Sequence, residues 1–208
     1  TVVAAAPGRD QQCGRGQGEA RSHGVGDPPP VVCRLCRRRL HALPTAAPSS
    51  RIVWWCLPRY DGDPVFCRLL SGGEDKGFTD VVLEGQAEIR SNYVRNTAIV
   101  VTELIDDKGA GVRITDFAPR FQNYGRTFRP PQIIRIIEPI GGMPRVTIRF
   151  RTTHRYGEPV ASRSSGSNHI RYWRDDVPVR LTTDAPLSYV ENEASFILAR
   201  PVHMVFGT

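Results

Sequence analysis

From residue 51 onward, Gly and Pro cut the chain into short runs rich in β-branched and aromatic residues, and no stretch carries a capped amphipathic helical period. Such a chain has few options beyond antiparallel sheet. The clearest run is 145–152, where Val146, Ile148 and Phe150 alternate with Arg145, Thr147, Arg149 and Arg151. A period of two puts the first set on one face and the second on the other, as a strand with one buried face requires. Runs at 51–56, 79–83, 88–94, 97–105, 112–117, 132–137, 170–173, 179–183 and 196–205 also read as strands. Asp106-Asp107-Lys108-Gly109-Ala110-Gly111 predicts one hairpin, and Gly141-Gly142-Met143-Pro144 predicts a second between 132–137 and 145–152. About ten short strands at this spacing predict an all-β fold, an antiparallel two-layer β-sandwich.

Residues 1–50 are of another kind. They hold no Phe, Tyr, Trp, Met, Ile, Asn or Lys, and Gly, Ala, Arg and Pro fill more than half of the positions. Such a segment cannot bury enough apolar area to offset the entropy of ordering it. We therefore expect a disordered, low-order segment over 1–50, preceding a β domain over 51–208. The missing residue types have AT-rich codons, and across the chain Arg outnumbers Lys 26 to 2. This is the composition expected of out-of-frame translation in a high-GC genome. An intact reading frame together with expressed peptides from 1–50 would overturn that reading.

The net charge is +7, and 1–50 contributes seven Arg against Asp10, Glu19 and Asp27. The basic cluster of Arg34 and Arg37-Arg38-Arg39 lacks interleaved aromatics for base stacking, so no nucleic-acid partner is expected. The five cysteines, Cys13, Cys33, Cys36, Cys56 and Cys67, do not form a paired disulfide framework. Cys33-x-x-Cys36 followed by His41 would need a second ligand pair at finger spacing to hold tetrahedral zinc, and none follows. No metal and no cofactor are expected. The absence of a membrane-length apolar run and of a signal-peptide order at the N-terminus predicts no membrane partner and a cytoplasmic location.

Four motifs say more. Arg51-Ile52-Val53-Trp54-Trp55-Cys56-Leu57-Pro58-Arg59-Tyr60-Asp61-Gly62-Asp63-Pro64-Val65-Phe66, followed by Leu69-Leu70 and Gly72-Gly73, resembles the opening of bacterial glycoside hydrolase family 15 proteins, the glucoamylase- and trehalase-like enzymes. Val112-Arg113-Ile114-Thr115-Asp116-Phe117-Ala118-Pro119-Arg120 resembles a later strand of that family. Arg129-Pro130-Pro131-Gln132-Ile133-Ile134-Arg135 and Val146-Thr147-Ile148-Arg149-Phe150 resemble the elements after it, in the same order. Family members usually carry one more strand before the Trp motif, and 42–50 does not resemble it. The resemblance implies a supersandwich-like N-terminal domain over 51–208 that packs on and supports a catalytic (α/α)6 barrel. That barrel holds the acid and the base that cleave an α-glucoside. No helical stretch with such a carboxylate pair occurs in this chain. We therefore expect a non-catalytic, truncated piece that is inactive alone, with the barrel as its partner and trehalose, a maltooligosaccharide or another α-glucoside as substrate of the complete enzyme only.

Residues that line substrate or a domain interface are sought in the 58–64 loop and the strand before it. Arg59 and Asp61 can hydrogen-bond sugar hydroxyls or pair with each other and pin the turn, and Tyr60 lies between them. Trp54 and Trp55 can stack on sugar or pack inside. Being adjacent on a strand they face opposite ways, so at least one belongs to the core. Asp116 is expected to cap a turn, and Glu191 and Glu193 to be surface acids in a polar turn. The alternative is a free-standing carbohydrate-binding sandwich built on Trp54, Trp55, Tyr172 and Trp173, although Tyr172 and Trp173 cannot share a face.

Overall fold

The computed structural model describes residues 50–71, 75–175 and 177–208. The segment expected to be of low order lies outside the described residues except for Ser50, which is buried. In chain order the first elements are β1 (Trp55–Cys56), β2 (Pro64–Phe66), a single helical turn α1 (Arg68–Ser71), β3 (Phe78–Leu83), β4 (Gln86–Tyr93), β5 (Val100–Asp106) and β6 (Gly111–Phe117). Then come β7 (Phe121–Asn123), β8 (Arg126–Phe128), β9 (Gln132–Ile140), β10 (Arg145–Arg151), β11 (Thr153–His154), β12 (Glu158–Pro159), β13 (Arg163–Ser165) and β14 (His169–Tyr172). The last are β15 (Val179–Thr183), α2 (Leu187–Glu191), β16 (Phe196–Ile197) and β17 (Val202–Gly207).

Eight strands form the larger layer in the order β13-β14-β15-β17-β9-β6-β5-β4, and β16-β10-β3 form the smaller. Alternation works as the sequence predicts. Val146, Ile148 and Phe150 on β10, with Val81 and Leu83 on β3, turn inward toward Leu104, Ile114, Ile133, Ile137, Leu181, Met204 and Phe206 of the larger sheet. The all-β, antiparallel two-layer sandwich is thus what forms. Its centre is aromatic. Phe206 lies 5.5 Å from Trp55, 6.1 Å from Phe66 and 5.2 Å from Phe150, each edge-on. Such pairs contribute roughly 0.5–1.5 kcal/mol each beyond their buried area.

The hairpin at 106–111 forms. Asp106 Oδ1 accepts from the amides of Lys108 and Ala110 at 2.9 and 2.8 Å, and Gly109 takes the left-handed conformation that the turn needs. The second expected hairpin does not. β9 pairs with β6 and β17 in the larger sheet, whereas β10 pairs with β3 and β16 in the smaller. Gly141 and Gly142, at φ 57° and 95°, carry the chain between layers. The reason is burial: both edges of β9 are occupied, and the apolar faces of β9 and β10 meet only across the core.

The run 196–205 is divided as well, because Pro201 has no N–H for a ladder, so β16 joins the smaller sheet and β17 the larger. Within 51–56 only Trp55–Cys56 pairs as a strand, with an isolated bridge from Ile52 to Thr79. Asp116 is not a turn cap. It sits directly opposite Arg135 in the β6–β9 register, and Arg135 donates to both its carboxylate oxygens at 2.7 and 2.9 Å inside the core. The same guanidinium donates to the Ser50 carbonyl at 2.7 Å, tying the start of the described chain to the larger sheet. Glu191 closes α2 rather than lying in a turn.

Candidate functional site

The 57–63 loop leaves β1 and returns to β2. Its backbone closes on itself, with the Gly62 amide donating to the Arg59 carbonyl at 3.0 Å. A Cβ at Gly62 would stand 2.6 Å from the Leu57 carbonyl oxygen, so only glycine fits there. Of the two roles open to Arg59 and Asp61, the structure displays the local one. The guanidinium donates through Nε and Nη2 to the two carboxylate oxygens, each at 3.1 Å, and both side chains are exposed. Tyr60, between them, is two-thirds exposed. Trp54 is partly buried, and Trp55 is buried with its ring in the aromatic centre.

Asp63 anchors this loop. Its carboxylate accepts from the backbone amides of Arg155 at 2.7 Å and Tyr156 at 2.9 Å, and from Arg174 Nη2 at 2.6 Å. Arg155 and Tyr156 have φ of 46° and 57°, a left-handed conformation that is strained in residues other than glycine. Asp63 caps the two amides that this conformation turns outward. Arg174 is buried and also donates to the Thr153 carbonyl at 3.0 Å, clamping the loop onto the 153–156 turn. Asp175 completes the cluster, 2.6 Å from Arg155 Nε and 3.4 Å from His154 Nδ1. Sequence reasoning singled out Arg59, Tyr60 and Asp61 but missed Asp63, Arg155 and Arg174. Those partners lie 92 and 111 residues from Asp63, and no local pattern signals such a pairing.

The arrangement holds the 57–63 loop on the 153–156 turn. A glycosidase acid works because its pKa is raised. Among the described residues the displaced carboxyls move down. The Arg151 hydrogen bond lowers Asp75. Burial pulls Asp175 and Asp184 upward, but hydrogen bonds and charge from Arg155 and His154, and from His203, outweigh it. The thiol of Cys56 is pushed up to about 11 by burial and by Asp63, which keeps it protonated and inert. Among the described residues no three His, Cys, Asp or Glu side chains are grouped to hold a metal ion, and no helix is long and apolar enough to cross a membrane. The Cys33, Cys36 and His41 set lies outside the described residues.

The sandwich end built by this loop and its neighbours shows apolar surface. Tyr60, Leu69, Leu70 and Tyr156 are each more than half exposed. Tyr156 follows directly from the Asp63 clamp, and the Cβ position of Gly157 lies 3.6 Å from Cys67 Sγ, immediately before α1. Of the four aromatics considered for a sugar platform, Trp55 and Tyr172 are in the core, Trp54 is partly buried and Trp173 is nearly half exposed.

A trehalase from Thermoplasma volcanium is 25% identical to this chain over 148 residues, 68% of the chain but 22% of that relative's length. No solved structure matches the chain. The sequence profile of the family described as trehalase-like, N-terminal, matches residues 29–195, beginning ahead of the Trp motif and covering most of the sandwich. The all-β fold, the order of its motifs and this match agree: the chain belongs to the trehalase-like N-terminal domain family.

Proposed function

We propose that this chain is the accessory β-sandwich of a trehalase- or glucoamylase-like glycoside hydrolase of family 15. It packs on and supports a catalytic (α/α)6 barrel and does not hydrolyse glycosidic bonds by itself. The observation that carries this reading is the family match over 29–195. Exposure of Tyr60, Leu69, Leu70 and Tyr156 around the clamped 57–63 loop supports this end as the face that meets the barrel, because apolar side chains of this size gain most from being covered. In that arrangement Arg59 and Asp61 stand at the rim, where they can reach sugar hydroxyls.

The test is hydrolysis of trehalose and of maltose by the purified chain, alone and with the catalytic barrel of a family 15 enzyme supplied. Activity only in the combination, lost on Tyr60→Ala or Leu70→Asp, is the expected result. Hydrolysis by the chain alone would sink the proposal. A free-standing carbohydrate-binding module is the weaker reading, because its aromatic platform is reduced to Trp173 and part of Trp54.

A further inference from the structure

One outward-facing row of the larger sheet has its charges unbalanced. Register sets Ser164, Arg171, Arg180, Gly207 and Gln132 side by side across β13, β14, β15, β17 and β9. Arg171 and Arg180 are therefore direct cross-strand neighbours, an arrangement that weakens a sheet unless something neutralises it. Neither has a carboxylate partner among the described residues. Beside them Gly207 contributes no side chain, and a Cβ there would stand 2.4 Å from the Pro131 carbonyl oxygen. A hollow of about 420 Å³ results, lined by Gln132, Arg171, Pro178, Arg180, Thr182 and Thr208. The Arg171 guanidinium also lies over the Trp173 ring, 5.2 Å from its centre. The imidazole of His169, opposite Thr182, is pushed below the usual range, first by burial and then by the charges of Arg180 and Arg171.

We propose that this hollow binds a phosphate group, free or carried on a sugar. Two guanidinium forks, the Gln132 amide and the Thr182 hydroxyl supply more donors than a carboxylate's two oxygens can use, and they suit the oxygens of a phosphate. An anion between Arg171 and Arg180 also removes their repulsion. The hollow exceeds a single phosphate in size, which leaves room beside it for a sugar ring. This site does not depend on the hydrolase reading.

The test measures thermal unfolding and isothermal titration of the full chain with inorganic phosphate, glucose 6-phosphate, glucose, and sodium chloride at matched ionic strength. The expected result is a melting temperature raised by both phosphates and unmoved by glucose or salt, since only a ligand bound to the folded state stabilises it. Arg171→Gln and Arg180→Gln should each abolish that rise while folding normally, and should melt higher than the parent in phosphate-free buffer. Arg129→Gln, an exposed cation in the loop between β8 and β9 that does not line the hollow, should keep it. Tighter glucose 6-phosphate binding would identify a sugar phosphate, and equal binding the free anion. No rise with either phosphate, or equal loss in the Arg129 variant, would overturn the site.

Discussion

Two arginine clusters, one on the outer face of each sheet, behave oppositely. On the smaller sheet, Arg51, Arg68, Arg149 and Arg151 gather over one buried ring, with guanidinium carbons 4.5, 5.0, 5.1 and 5.4 Å from the centre of Phe78. Acids are threaded among them. Asp80, itself buried, accepts from Arg51 at 2.8 Å and from Arg149 at 2.8 and 2.7 Å, while Glu193 and Asp75 take Arg151. That face is closed, and its hydrogen bonds with Glu193 and Asp75 raise the pKa of Arg151 further. On the larger sheet, Arg171 and Arg180 stand opposite each other with no acid paired to them among the described residues. The difference teaches that arginine content is silent about role. What decides is whether register brings a carboxylate opposite: where it does, the charges hold structure, and where it does not, they are available to a ligand.

The largest effects should come from the closed side and the core. Asp80→Ala leaves two guanidiniums over Phe78 without their shared acceptor, and we expect about 3–5 kcal/mol of lost stability, read from the urea midpoint. A loss below about 1 kcal/mol would mean that stacking on Phe78 holds this face unaided. Asp116→Ala should cost as much by stranding Arg135 in the core, whereas Asp116→Leu with Arg135→Met should recover most of it. If the double variant stays as unstable as the single, the Arg135 bond to Ser50 is the element that matters.

Asp63→Ala should cost about 1.5–3 kcal/mol and expose the 154–157 turn to protease, with the rest of the sandwich intact. Acid comes next. Asp75, Asp175 and Asp184 hold protons more weakly folded than unfolded. Their contribution is therefore full above the ordinary aspartate value of about 4, starts to fall there, and is lost as the pH drops on through their lower folded-state values. Melting temperature against pH should bend downward there, less steeply in Asp184→Asn. The smallest effect marks the open side: Arg180→Gln should raise stability by about 0.2–1 kcal/mol without phosphate. Destabilisation instead would show that this row is held by contacts and erase the contrast between the two faces.

Motif order led directly to the family, and the motifs carry structure more than chemistry. Asp116 and Arg135 come from two separate motifs and meet as the buried ion pair, and Trp55 and Phe66 from the first motif meet in the aromatic centre. Within the candidate site, the Arg59–Asp61 pairing was legible because the two residues are near neighbours. The Asp63 clamp was not, because it is made by residues about a hundred positions away.

By itself the sequence determined the class of structure, the faces of its strands, the 106–111 turn and the family. A strand's side chains alternate whatever it pairs with, and a turn is made by the residues inside it. Only the tertiary structure decided which sheet each strand joins: β9 and β10, adjacent in the chain and separated by two glycines, ended in different layers. It also decided which arginines found acids. Both outcomes depend on register between distant segments, and register is set by which apolar faces can be buried together, a property of the whole core that no local pattern contains.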